Sequence, residues 1–182
     1  MMDGVSGMLG KKLVYRQLYG EQIVSVRPAK RDVPTPHQQK TKEKFIRGVR
    51  YAKAQMKKPE IKALYAQQIT RTKTNAYTVA LVDFLNPPTV NEIFPYHYDG
   101  TLGGYIDIEA VDDFEVVSVT VSIYDDQSIL IEEGKAVQQT LHFGRWRYEA
   151  TVVNPTLIGS KIIATAMDRP GNEARGELVI NG

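Results

Sequence analysis

The stretch that decides the fold is Val116-Val117-Ser118-Val119-Thr120-Val121-Ser122-Ile123-Tyr124. Val117, Val119, Val121 and Ile123 alternate with Ser118, Thr120 and Ser122. A period of two is that of a strand with one face toward a core and the other toward water. Further along, Trp146, Tyr148, Ala150 and Val152 alternate with Arg147, Glu149 and Thr151 in the same way. Read outward from these two runs, the pattern predicts seven strands, at 77–84, 104–110, 115–124, 128–133, 145–153, 161–167 and 174–181. Turn chemistry separates them: Asp99-Gly100, Asp125-Asp126, Glu133-Gly134, Asn154-Pro155 and Pro170-Gly171. Short strands at this spacing predict a two-sheet β-sandwich over residues 76–182.

Before residue 76 the pattern is different. Residues 1–9 read as a flexible start. Lys12–Leu18 and Gln22–Arg27 predict a hairpin, with Gly20 in Tyr19-Gly20-Glu21 free to take a positive φ. Thr35-Pro36-His37-Gln38 predicts a helix start, with Thr35 as N-cap, Pro36 at the first helical position and Gln38 closing a capping box. The helix runs to about Met56, with Phe45, Val49, Ala52 and Met56 as an apolar stripe and Lys40, Lys44, Arg47, Arg50, Lys53 and Lys57 off it. Pro59 starts a second helix carrying Ile61, Leu64, Tyr65 and Ile69, and Thr70–Asn75 reads as a linker. The expected organisation is a basic hairpin-and-helix module, 1–75, followed by an acidic sandwich, 76–182.

Two resemblances add to this reading. Ala110-Val111-Asp112-Asp113, the run 116–126, Trp146-x-Tyr148 and Ala164-x-Ala166-x-Asp168-x-Pro170-Gly171-Asn172 resemble bacterial immunoglobulin-like domains. The resemblance implies a mainly β chain: a seven-stranded immunoglobulin-like sandwich preceded by a small α+β module of hairpin and two helices. One departure is that Trp146, the single Trp, falls on the fifth predicted strand, where antibody domains place theirs on the third. Gly10-Lys11, Thr35-Pro36-His37-Gln38 and Phe45 resemble the start of uncharacterised bacterial proteins of phage-like or tail-like gene sets. That resemblance implies a place in a phage virion or contractile tail-like particle.

Charge is strongly polarised. The formal net charge is +2, yet residues 1–75 hold 17 Lys/Arg against 5 Asp/Glu, and residues 76–182 hold 6 against 16, giving +12 and −10. Absence of cysteine excludes disulfides and thiolate chemistry. The start shows no apolar run of signal-peptide length, and nothing approaches the ~18 apolar residues of a membrane span, so cytoplasmic synthesis without a signal peptide is expected.

No catalytic constellation stands out. His37, His97 and His142 lack metal-ligand spacing, no serine lies in G-x-S-x-G, and Gly100, Gly103 and Gly104 precede no phosphate-loop Lys-Ser/Thr. Neither enzyme activity, a cofactor nor a small-molecule substrate is expected. If strands alternate in direction, loops 111–114, 134–144 and 168–173 share one end of the sandwich. Asp112, Asp113 and Asp168 then converge with Asn172 nearby, as solvated turn carboxylates or as hard-oxygen calcium ligands. The first sandwich strand is expected to begin at that end, so Lys and Arg of the first 75 residues could satisfy the acidic rim within the chain.

The basic helix is the sharpest feature. Lys40, Lys44, Arg47, Arg50, Lys53 and Lys57 form the candidate partner-binding face, which Arg16, Arg27, Lys30 and Arg31 would extend. Acidic protein subunits of a larger assembly, including further copies of the chain, are the expected partners. Nucleic acid bound through phosphate neutralisation is the alternative.

Overall fold

The structure, a computed structural model, describes residues 7–10, 12–18, 21–26, 33–140 and 142–181. It divides into two units, Met1–Thr41 and Lys42–Gly182. In the first, strands β1 (Gly7–Leu9), β2 (Leu13–Leu18) and β3 (Glu21–Val26) form an antiparallel sheet in that order. The expected hairpin is β2 and β3, paired from Leu13↔Val26 to Leu18↔Glu21; β1, which was not anticipated, adds a third strand. The turn residues Tyr19 and Gly20 lie outside the described residues, as do Lys11, Arg27, Lys30 and Arg31.

Helix α1 (Pro36–Gln55) starts where its capping box predicts. The Thr35 amide donates to Gln38 Oε1 (3.0 Å) and the Gln38 amide to Thr35 Oγ1 (3.3 Å), so two otherwise orphaned amides are satisfied reciprocally. Helices α2 (Pro59–Gln67) and α3 (Ala76–Leu85) follow. Helix α3 corrects the reading of 77–84 as a sandwich strand. Asn75 caps it, its side chain accepting from the Thr78 amide (2.9 Å). Its buried residues Ala76, Val79, Ala80 and Asp83 follow the helical spacing i, i+3, i+4, i+7. The β-branched Thr78, Val79 and Val82 suggest a strand, but only a helix brings those four to one face.

The chain then enters eight strands, not the expected seven: β4 (Thr89–His97), β5 (Tyr105–Val111), β6 (Val116–Tyr124), β7 (Leu130–Lys135), β8 (Val137–Gln138), β9 (Arg145–Glu149), β10 (Lys161–Asp168) and β11 (Glu173–Val179). They form two antiparallel sheets, ordered β4-β5-β9-β8 and β11-β10-β6-β7. Alternation places Ile106, Ile108, Trp146 and Tyr148 of one sheet and Val119, Val121, Ile123, Ile162, Ala164 and Ala166 of the other in one apolar core. The run 116–124 behaves as read apart from its start. A register shift opposite Met167/Asp168 turns Val116 inward and leaves Val117 38% exposed. With three helices and three antiparallel sheets among the described residues, the fold is mainly β.

A second core joins the helices: Ala52, Tyr65, Ala76, Val79 and Ala80, with Tyr51, Met56, Ile61, Leu81 and Phe114 packed against it. The α1 stripe is rotated from the one expected. Phe45 is 49% exposed, and the buried positions are Gly48 and Ala52. A Cβ on Gly48 would lie 3.0 Å from both Leu81 and Phe84, so the missing side chain lets α1 and α3 approach closely. Among the described residues no helix is long and apolar enough to cross a membrane.

Candidate functional site

The helices of the second unit meet one end of the sandwich at the loops 112–115 and 169–172. Phe114 packs its ring against Tyr65 (centroids 4.4 Å apart), and Asn172 Nδ2 donates to the Phe84 carbonyl at the end of α3 (3.2 Å). Asn86 Nδ2 donates to Asp113 Oδ2 (2.7 Å), and Lys73 pairs with the same oxygen at 3.6 Å. Arg169 reaches Glu115 and lies over the Phe114 ring.

Behind this seam is a buried polar chain. The Tyr65 hydroxyl donates to Asp83 Oδ2 and lies 2.8 Å from the Tyr51 hydroxyl. Because a phenol has one proton to give, Tyr51 donates to Tyr65. Asp83 and Asp168 are each 1% exposed. Burial pushes the Asp83 carboxyl up to about 7, and the neighbouring Asp112 and Asp168 charges add to the rise against the Tyr65 hydrogen bond and Arg169. Burial also raises Asp168, with Asn172 hydrogen bonds opposing. Burial, then the Asp83 and Tyr51 contacts, holds the Tyr65 phenol far above its ordinary range. Asp83 Oδ1 and Asp112 Oδ1 are buried without a protein hydrogen-bond partner. A neutral Asp83 is far less costly there than an anion.

The structure thus brings Asp112 and Asp168 to one end of the sandwich, with Asp83 of α3 as a neighbour that the sequence reading missed. The readable signal was the helical spacing 76, 79, 80, 83, in which an aspartate fills an otherwise apolar stripe. Each rim carboxylate already has local partners. Asp112 Oδ2 accepts from the Phe114 and Glu115 amides, and Asp168 accepts from the amide and side chain of Asn172. Among the described residues no three His, Cys, Asp or Glu side chains are disposed to hold a metal ion. The exposed His97 stacks on Tyr105 (4.5 Å).

The cations of the helical layer separate into two kinds. Lys44 Nζ donates to the Leu85 carbonyl (2.8 Å), closing the C-terminal end of α3. Lys73 pairs with Asp113. Arg47, Arg50 and Lys53 of α1, followed by Lys57, Lys58 and Lys62, are exposed and join none of the five ion pairs among the described residues. Lys40 is likewise exposed. Among the described residues, Lys73 alone of the first 75 carries an ion pair to the acidic rim. On α1, Arg50 and Lys53 lie about 60° apart, opposite the buried Gly48–Ala52 edge, and Lys57 follows in the turn after the helix.

No known protein family matches the chain, and no curated protein matches it. Among solved structures, a partial match is the catalytic module of SpuA, described as a multi-modular glycogen-degrading pneumococcal virulence factor, in complex with an inhibitor. Identity is 16%, the match covers 45% of this chain and 13% of that one, and the TM-score of 0.29 is below that of chains sharing a fold.

Proposed function

We propose that this chain is a non-enzymatic structural or assembly protein built on an immunoglobulin-like sandwich. The sheet orders β4-β5-β9-β8 and β11-β10-β6-β7 support that fold reading, since they correspond to A-B-E-D and G-F-C-C′ of such sandwiches. This fold commonly serves as a scaffold, so function must come from surfaces grafted on it. The observation that carries the reading is Arg47, Arg50 and Lys53, on a helix anchored at its other face, with Lys57 in the turn after it: exposed cations that join no ion pair among the described residues. The N-terminal sheet adds to it. Val26, Met8 and Val24 are 73%, 57% and 51% exposed. A small sheet that leaves such apolar side chains in water is marginal by itself, which suits an element that docks on a larger body. A phage virion or contractile tail-like particle is the assembly we infer, on the N-terminal resemblance at Gly10-Lys11, Thr35-Pro36-His37-Gln38 and Phe45.

Quantitative mass spectrometry of high-mass particles sedimented from the source cells tests this. The chain is expected there in many copies per particle; recovery solely as a free small protein would overturn the assembly role. The same row of cations supports a second reading, nucleic-acid binding by counterion release. Gel shifts at about 50 mM salt, where phosphate contacts are strongest, would then show binding that Arg47→Glu, Arg50→Glu and Lys53→Glu together abolish.

A further inference from the structure

The strand directions assign the unpaired charges to opposite ends of the second unit. Strand β5 ends at Val111, on the helical rim, and starts at Tyr105, at the far end. Its neighbour β9 runs back from Arg145↔Glu109 to Glu149↔Tyr105, which places Glu149 far from the rim. Strand β6 likewise runs from Val116 at the rim to Tyr124, so the turn with Asp125 and Asp126 is distal. In β7, Glu132 and Glu133 pair with Ile123 and Ser122, also toward that end. The loop between β4 and β5 adds Asp99, whose carboxyl is held below the usual range by hydrogen bonds from Thr101.

Asp99, Asp125, Asp126, Glu133 and Glu149 therefore cluster about the distal end and join no ion pair among the described residues. The one cation at the adjacent strand end, Lys161, already pairs with Glu177 (3.7 Å). Glu133 and Glu149 border a groove of about 560 Å³ between β7 and β9, with Tyr148 and Thr151 in its wall. Of the two bases in that groove, Arg147 is neutralised by Asp107 (2.8 Å), which leaves Lys135.

We propose that the cationic face of α1 on one copy docks on the distal acidic end of a second copy, so that chains associate head to tail. The inference rests on the assembly reading and names its partner. The two surfaces are opposite in sign and join no ion pair with each other among the described residues; Asp126, Glu133 and Glu149 are exposed, and the half-buried Asp125 accepts from the Gln127 and Ile129 amides. Because the two patches differ, the contact is heterologous. It leaves a free patch at each end and grows into a filament unless rotation closes a ring. Ile46, 39% exposed, lies among the cations of α1. An apolar side chain in that row suits a protein surface better than a phosphate backbone.

Analytical ultracentrifugation of the full chain at about 20 mM and about 500 mM salt tests the contact, since screening weakens exposed charge pairs. Concentration-dependent oligomers are expected at low salt and monomers at high salt. A head variant (Arg50→Glu, Lys53→Glu, Lys57→Glu) and a tail variant (Asp125→Lys, Asp126→Lys, Glu149→Lys) should each be monomeric. Mixed, they should recover oligomers, because native head meets native tail at one contact and reversed head meets reversed tail at the next. One chain carrying all six changes should recover oligomers. Circular dichroism of each variant verifies folding; should one set unfold, the other alone decides. A wild type monomeric under every condition overturns the proposal, while multi-copy recovery in particles would leave the assembly reading standing. Oligomers that persist in both variants overturn it in favour of another surface. Association appearing only with added duplex DNA or RNA overturns it in favour of nucleic acid.

Discussion

The two cores of the second unit are made differently. The sandwich core is apolar and rests on alternation, with Ile106, Ile108, Val119, Val121, Ile123 and Ile162 wholly buried. The helical core rests on close approach and polar pairing. Gly48 and Ala52 let α1 sit on α3, while Tyr51, Tyr65 and Asp83 form a buried hydrogen-bonded chain. A core of branched aliphatics is stable through area removed from water and is indifferent to pH. A core containing a carboxylic acid is stable only while that acid keeps its proton or its partners. The sandwich buries carboxyls too, Glu132 of β7 and Asp168 of β10, but its centre is aliphatic, whereas the centre of the helical layer is the Tyr51–Tyr65–Asp83 chain.

The largest effect should come from the sandwich. Ile108→Ala removes a fully buried side chain at the centre of one sheet. It should lower unfolding free energy by about 2–5 kcal/mol, measured by denaturant titration. Gly48→Leu should act on the other core, wedging α1 from Leu81 and Phe84 at a cost of about 1–3 kcal/mol. Hydrogen exchange should show α1 and α3 losing protection while β6 and β10 keep theirs. Equal loss in both regions would dissolve the distinction between the cores.

Tyr65→Phe leaves Asp83 Oδ2 without its donor and should cost a similar or smaller amount, about 1–3 kcal/mol. Acidity sharpens the contrast further. The folded Asp83 carboxyl sits at about 7, well above its ordinary value near 4, and Asp168 is raised in the same direction. The folded chain thus holds a proton that the unfolded chain has already released. This contribution to stability is complete below about pH 4 and is lost as pH rises toward 7, since the unfolded state then binds fewer protons. Thermal melts between these limits should show the decline, and Asp83→Asn should flatten it. A wild type as steep as the variant would remove Asp83 as the cause. The smallest effect should follow Arg50→Glu with Lys53→Glu, which leaves stability within about 0.5 kcal/mol, because both side chains are exposed and outside every ion pair.

Particular elements show where sequence reading succeeds. The capping box at Thr35–Gln38 and the strands 116–124 and 161–167 depend on neighbours a few residues apart, and the structure realises both. The run 77–84 fails because its β-branched residues suit either state. Docking against α2 and Phe114 selects the helix. Strand β4 went unread because Pro95 lies inside it. An edge strand tolerates that, since the missing amide faces no partner there, and the register shift between Phe94 and His97 absorbs the distortion. The convergence of Asp112 with Asp168 was legible from strand alternation. The partnership of Asp83 with Tyr65 was not, because those residues lie on separate helices.

By itself the sequence determined the period of two in the strands from 104 onward, the starts of α1 and α2, the turns and the separation of positive from negative charge. All of these are local or additive properties of the chain. Tertiary structure alone decided that 77–84 is helical, that α1 buries Gly48 rather than Phe45, and that an aspartate is held in the helical core. It also decided which charges remain unpaired, and at which ends. Those outcomes depend on what packs against each residue, and packing brings together residues far apart in the chain.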